Sequence, residues 1–352
     1  FIGQDGLNAP DSPTGVSATA GNAQATVSFT APTDVGGSAI TGYNVQSNDG
    51  SGTWQSFYDL TGAAYDSVNF SVASQETSPK GIFFKTDGTR MYVIGVDGDK
   101  VFQYDLSTAF DVSTATYNSV SFTHTGGNAV DIFFSSDGVY MFVAESTNQT
   151  NVYRYTLSTP WNVSTAGSEQ AKTSGFSEVS NNQMLFFKPD GTRLYLGQNK
   201  NSASDIYEYS LSTAWDLTST VAYTNKSLET TAQDNEITGM FFNTDGTQLF
   251  VVGYQNDKVY QYNLSTGYDL STGSFSNTDF SVGSQETQPE AITFKPDGTK
   301  MYVVGFTNDT VYQYTTAVVD YPTASPVTVT GLTNGTSYTF NVWAINAFGY
   351  SA

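Results

Sequence analysis

The feature that most restricts how this chain can fold is a phrase that recurs five times: an apolar strand, a tight Asp-Gly turn and a second apolar strand. The first copy runs from Ile82 through Asp87-Gly88 to Val93, and the others read IFFSSDGVYMFV, LFFKPDGTRLYL, MFFNTDGTQLFV and ITFKPDGTKMYV. The turn aspartates Asp87, Asp137, Asp190, Asp245 and Asp297 follow at intervals of roughly fifty residues, the period of an array of small supersecondary units. Asp-Gly is hairpin chemistry, because Gly accepts positive φ and the Asp side chain can bond the turn backbone. A third short strand follows each hairpin, at Val101 to Tyr104, Val152 to Tyr155, Ile206 to Tyr209, Val259 to Tyr262 and Val311 to Tyr314, and helical periodicity is absent.

Four of the five third strands lead into a loop of one design, LSTAFDVST, LSTPWNVST, LSTAWDLTS and LSTGYDLST, and then into a fourth strand. The fifth copy is read as lacking both. An unpartnered strand, residues 64 to 72, instead precedes the first copy and is similar to residues 273 to 282, the fourth strand before copy five. Ring closure resolves the mismatch: residues 64 to 72 complete the unit begun by residues 290 to 315. Four-stranded units closing in this way make a five-bladed β-propeller, whereas an open solenoid would leave two long edges unpaired.

The wording FKPDGTKMYVV resembles the hairpin of YVTN-type bacterial propeller repeats. Residues 10 to 47 resemble the first three strands of a fibronectin type III domain, with Phe29 at the usual core Trp position. Residues 325 to 349 resemble its E and F strands, where Leu332, Gly335 and Tyr338 fit the tyrosine corner. The expected fold is therefore all-β, a five-bladed propeller inserted into a fibronectin type III-like sandwich. Its parts are a leader at 1–11, the first part of the sandwich at 12–62, the propeller at 63–319, and the second part at 320–352 with the G strand missing. A missing G strand implies a longer parent chain or a strand donated by a neighbour.

Charge narrows the function. Thirteen basic against 33 acidic residues give a net charge of −20, which argues against nucleic acid and anionic membrane as partners. No cysteine is present, and a single histidine, His124, cannot build a multi-histidine metal site. No apolar run approaches the roughly 18 residues that span a bilayer, so no membrane insertion is expected, and FIGQDG is not a signal peptide.

Five-bladed propellers include glycoside hydrolases, for which Glu76, Asp131, Glu236 and Glu290 are the candidate acids. No nucleophile elbow, Ser/His/Asp constellation or phosphate loop accompanies them, so no enzyme activity is expected and no catalytic residue is named. No cofactor is required; Ca2+ enters only as a candidate at Asp97-Gly98-Asp99, which is too short for an EF-hand loop. The turns joining strands one to two and three to four are nearly uniform, so Phe110, Trp161, Trp215 and Tyr268 read as packing plugs. The loops of the other face differ in every copy and suit a binding surface. Its candidate ligand-binding residues are Glu76, Lys80, Asp131, Gln183, Asp234, Glu236, Tyr254, Glu290 and Phe306. The expected function is recognition or display on an extracellular structure, a bacteriophage fibre or capsid decoration ahead of a bacterial adhesin or a glycan-cleaving enzyme. Expected partners are a cell-surface glycan or protein and other subunits of a fibre or particle.

Overall fold

The computed structural model describes residues 9–48, 58–146, 150–172, 176–199, 204–316, 322–330, 332–346 and 349–351. The leader residues 1–8 and parts of two varied turns, 147–149 and 200–203, lie outside this description.

The repeated phrase carries unbroken apolar runs rather than an alternation, the pattern of a strand covered on both faces. The arrangement of the sheets explains it. Strands Pro79–Phe84, Arg90–Gly95, Lys100–Leu106 and Ala115–Thr123 form one antiparallel sheet in that order, and four further four-stranded sheets repeat the design. The first strands Pro79–Phe84, Ala129–Phe134, Asn182–Phe187, Ile237–Phe242 and Pro289–Phe294 touch in sequence order, and the last touches the first. Core clusters fill the wedges between neighbouring sheets; one joins Ile82, Phe84 and Val93 of the first to Tyr302, Val304 and Val311 of the fifth. The protein is all-β and this part of it is a β-propeller.

The fifth sheet closes the ring as the displaced strand requires. Its order is Pro289–Phe294, Lys300–Gly305, Thr310–Thr315 and then Ala64–Ser71, with Phe70 opposite Val311 and Tyr65 opposite Tyr314. Ala64–Ser71 even carries the bulge of other fourth strands: Ser67 stands at φ 60°, Ser119 at 63° and Asn277 at 61°. One expectation is corrected. The fifth sheet does possess the aromatic loop, because Tyr58-Asp59-Leu60-Thr61 precedes Ala64–Ser71 as Tyr268-Asp269-Leu270-Ser271 precedes Gly273–Ser281. The Tyr58 hydroxyl donates to the Pro296 carbonyl at 2.9 Å, as Tyr268 donates to Thr244 at 2.8 Å, and Tyr58 and Leu60 are buried.

Four of the aromatic loops tie their sheet to the one before it. Phe110, Trp161, Trp215 and Tyr268 stand at φ of 62 to 64°, a conformation that costs a bulky residue on the order of 1–3 kcal/mol. Three contacts offset that cost. Each ring lies on the turn glycine of its own sheet, so closely that a Cβ on Gly88 would come within 2.2 Å of the Phe110 ring. Each aromatic N–H donates to that glycine's carbonyl, at 2.9–3.0 Å. Finally, the aromatic carbonyl accepts a bond from the preceding sheet: Tyr302 to Phe110, Tyr92 to Trp161 and Tyr195 to Tyr268, each at 2.6 Å. Third-strand side chains add a second tie, Gln313 accepting from Val112 N–H, Gln103 from Val163 and Glu208 from Leu270. The second sheet has Phe142 where a tyrosine would stand, and there Arg154 replaces both ties, donating to the Trp215 carbonyl at 2.6 Å and pairing with Asp216.

Contacts divide the chain into two compact units, Leu60–Lys295 with Lys300–Thr316, and Phe1–Asp59 with Pro296–Thr299 and Ala317–Ala352. The second of these holds two three-stranded sheets. Gln24–Thr30 lies between Thr14–Gly21 and Val327–Thr330, and Thr339–Asn346 lies between Gly42–Asn48 and Gly349–Tyr350. They share a small core of Val27, Phe29, Tyr43, Val342 and Ala344. The short strand Gly349–Tyr350 corrects the expectation that no strand follows 339–346. It pairs with Ile345 and Asn346, and Ser351 N–H donates to the Ala344 carbonyl at 2.8 Å, so backbone groups at that end of the edge are met.

Replacing Tyr302 by Phe leaves the Phe110 carbonyl buried without this donor. Urea unfolding should show a loss of about 1–3 kcal/mol, and a change below about 0.5 kcal/mol would contradict the tie.

Candidate functional site

The end of the ring opposite the aromatic loops is formed by the connections between sheets and by the turns joining strands two and three. Their variation has a structural component that the sequence conceals. Where the second strand ends in Gly95, Gly253 or Gly305, the preceding connection sends a buried acid against it, Glu76, Asp234 or Glu286. A Cβ on Gly305 would lie 2.0 Å from Glu286, so only glycine admits the acid. Glu76 accepts the N–H groups of Ser78 and Asp97, Asp234 those of Glu236 and Asn256, and Glu286 those of Gln288, Thr307 and Asn308. Where the strand ends in Glu145 or Gln198, that side chain performs the task from the other side, accepting from Gly127 N–H or Ser180 N–H. Glu76 and Asp234 are therefore staples of their own loops, 1% exposed, and are withdrawn as ligand contacts. Burial outweighs these hydrogen bonds and pushes both carboxyls above their ordinary range.

His124 is buried in the same layer. Its ring bonds Glu145 at 2.8 Å and the Tyr155 hydroxyl at 2.7 Å, and Tyr153 meets its edge. Asp97 accepts a short bond from Thr77, and Asp99 accepts from Ala129 N–H at 3.2 Å. Among the described residues no group of three or more His, Cys, Asp and Glu gathers to hold a metal.

Asp131 lies in the central channel rather than on the face. Its carboxyl accepts the N–H of Ile132 at 2.8 Å and of Leu185 in the next sheet at 2.7 Å. The channel is narrowed by Phe83, Phe133, Phe186 and Phe241 and leaves a cavity of about 40 Å³. That is room for a few waters and too little for a sugar. Burial pushes the Asp131 carboxyl up to about 8 against the pull of the two N–H groups.

The remaining candidates lie near the mouth of this channel. The residue after the second-strand glycine of one sheet meets the second residue of the next sheet's inner strand. In this way Phe306 comes to Lys80, whose Nζ is 5.3 Å from the ring centroid and 2.5 Å from Glu290 Oε1. Burial holds Glu290 above the ordinary carboxylate range, Lys80 opposing and Glu286 adding to it. Tyr254 bonds Glu236, and that bond, burial and the charges of Glu236, Glu290 and Asp234 push its phenol up to about 12. On the opposite side Gln183 donates to Ser146 and Asn181. Phe306 is 40% exposed, and Val16 is the only other exposed large apolar side chain among the described residues. The four acids considered for hydrolysis are thus dispersed: Glu76 in a loop staple, Asp131 in the channel, Glu236 and Glu290 at the mouth. The plugs behave as expected, Phe110 and Trp161 being buried and Trp215 and Tyr268 half-buried.

The stapling roles of Glu286, Glu145 and Gln198 were missed in the sequence, although the exchange of Gly for Glu or Gln at the end of strand two was its visible signal. No known protein family and no curated protein matches the chain. Among solved structures it is similar to a functionally unknown protein from Desulfotomaculum acetoxidans, at 11% identity and TM-score 0.40. That match covers 64% of this chain and 62% of the other, less than two thirds of its length. It is also similar to a periplasmic gluconolactonase from Pseudomonas aeruginosa, at 12% identity and TM-score 0.44 over 75% of this chain and 88% of that one. A β-propeller domain from Myceliophteria thermophila matches at 9% identity and TM-score 0.39 over 74% and 99%.

The Asp131 carboxyl gives a prediction with a definite sign. Its value moves from 3.8 to about 8, so between these limits the folded chain holds a proton that the unfolded chain has released. Its contribution to stability is complete at the acid end and is lost as pH rises through that window. Thermal melting of wild type and Asp131→Asn at about pH 5 and about pH 8 should show the difference moving in the variant's favour at the higher pH. An identical difference at both values would contradict a protonated Asp131.

Proposed function

We propose that the protein is a non-enzymatic recognition module of an extracellular structure, a five-bladed propeller carried on a fibronectin type III-like domain. The sandwich reading is supported by the two three-stranded sheets, by Phe29 in their core, and by Tyr338, whose hydroxyl accepts a bond from Thr333 N–H at 3.0 Å. The chain's lack of cysteine and its Ser, Thr, Asn and Gly richness favour a virion fibre or capsid decoration as the setting. The propeller is the rigid support, and the mouth of the channel on the varied face is the recognition surface for a cell-surface glycan or protein.

The observation that carries this reading is Phe306. An exposed aromatic ring beside an ion pair is what a sugar face or a partner's apolar side chain requires, with polar groups at hand to fix its orientation. Probing a panel of cell-surface glycans should give retention without cleavage. Phe306→Ala should weaken any bound glycan by about tenfold or more, the loss expected when an aromatic contact worth roughly 1.5–3 kcal/mol is removed. Unchanged retention by the variant, or release of shortened sugar, would overturn the reading.

A further inference from the structure

In three sheets a third-strand tyrosine hydroxyl donates to a side chain of the connection that enters the sheet: Tyr104 to Gln75 at 3.5 Å, Tyr209 to Glu178 at 3.2 Å and Tyr262 to Gln233 at 2.9 Å. The second sheet places the chain's one histidine there instead, with the Tyr155 oxygen 2.7 Å from His124 Nδ1. The same oxygen is 3.2 Å from Glu169 Oε2, a carboxylate on the outermost strand Ala166–Lys172, and Thr125 donates to that atom as well. On the other side of the ring Nε2 is 2.8 Å from Glu145 Oε1. An imidazole and a phenol thus stand in line between two carboxylates.

The hydrogen-bond roles follow from the partners. Burial works against the Glu145 charge, but bonds from Asn151, His124, Gly127 and Tyr153 outweigh it and hold the carboxyl below its ordinary range. An ionised Glu145 can only accept, so Nε2 carries a hydrogen. Burial pushes the Tyr155 phenol up, so its hydroxyl keeps its hydrogen. With the ring neutral, Nδ1 accepts that hydrogen, and Tyr155 and Glu169 face each other as two oxygens with no hydrogen between them. A proton taken from solvent onto Nδ1 makes this nitrogen a donor to the Tyr155 oxygen, and the hydroxyl hydrogen turns to Glu169. Every bond of the neutral state is kept, and one charge-assisted bond is gained. The other titratable and charged groups around the ring are Tyr153 at its edge, Asp99, whose carbonyl accepts the His124 N–H and whose carboxyl accepts from Ala129, and Lys100, opposite Thr123.

We propose that His124, Tyr155 and Glu169 form a proton-driven clamp, in which protonation of the ring ties the connection 124–128 to the outermost strand of the second sheet. This connection belongs to the varied face. Its Gly126 is folded so closely over Glu145 that a Cβ there would lie 1.3 Å from Oε1. Acid therefore stiffens one sector of the face, whatever the face binds.

The single histidine makes the test specific, because every imidazole resonance in an NMR spectrum of the intact chain comes from His124. At about pH 8 the ring should be the Nε2–H tautomer. Lowering the pH to about 5, across the range in which an imidazole changes charge, should convert it to the doubly protonated ring. Over that step the hydrogen-exchange protection of the Gly127 N–H, which donates to Glu145, should rise about fivefold, the effect of one added hydrogen bond after the intrinsic pH dependence of exchange is divided out. Glu169→Ala removes an exposed side chain and with it the second acceptor, so the ring should still titrate while the rise disappears. His124→Gln supplies an amide in the role that Gln75 and Gln233 fill, and its Gly127 protection should not change with pH. If His124→Gln fails to fold, the wild type and Glu169→Ala decide between them. A histidine that only fills space would leave protection unchanged as the ring titrates, and that result would overturn the clamp. An Nδ1–H tautomer, a ring still neutral at about pH 5, or an equal rise in Glu169→Ala would overturn it as well.

Discussion

The pairing of Ala64–Ser71 with Thr310–Thr315 is the constraint on which the ring depends. Without it the outermost strand of the fifth sheet is lost and the unit beginning at Leu60 opens an edge of unsatisfied backbone groups. Closure joins strands distant in sequence, a contact of large loop-closure entropy. That entropy must be offset by packing between neighbouring sheets. The ties at the aromatic loops provide such packing. Each fixes the angle between two neighbours through a carbonyl that a positive φ aims at the preceding sheet.

Those ties also explain the division of labour between the two ends of the ring. At one end the Asp-Gly turn, the aromatic residue and the Asp or Asn cap of the following short helix are all engaged with one another. Asp111, Asn162 and Asp269 each accept from the backbone two residues on. A change there requires a replacement tie, as Arg154 supplies beside Phe142. At the other end each turn needs only an acceptor for its N–H groups, supplied by Glu76, Glu145, Gln198, Asp234 or Glu286, and the residues beyond the staple are free to change. Tyr254, Glu236, Glu290, Lys80 and Phe306 belong to that released set, and none of them serves as a loop staple.

The sequence made the ring legible because repetition is a stronger signal than any single propensity. Five hairpins, a displaced strand and four plugs were enough to place every inner strand. The fifth loop escapes notice because Tyr58-Asp59-Leu60-Thr61 and its fourth strand Ala64–Ser71 stand ahead of the first copy, whereas their third strand, Thr310–Thr315, comes after the last hairpin, so the loop does not follow a third strand in the text. Glu76 and Asp234 look like surface acids in the sequence because an acid in a polar loop reads as solvated. What betrays them is the glycine opposite, a relation between residues about twenty positions apart that strand periodicity does not register. Asp131 reads as a face residue because it lies near the start of an inner strand, yet its carboxyl turns into the channel and accepts the Leu185 N–H of the next sheet.

Closure itself can be tested directly because the chain contains no cysteine. Ala64 and Thr315 face one another in the fifth sheet, and directly opposed residues lie roughly 4.5–5.5 Å apart at Cα, within reach of a disulfide. A chain carrying Ala64→Cys and Thr315→Cys should oxidise to a crosslinked monomer of altered mobility under non-reducing conditions. A chain carrying Ala64→Cys and Asp105→Cys, the equivalent position on the first sheet's third strand, should not. Crosslinking of the second pair in place of the first would contradict the closed ring.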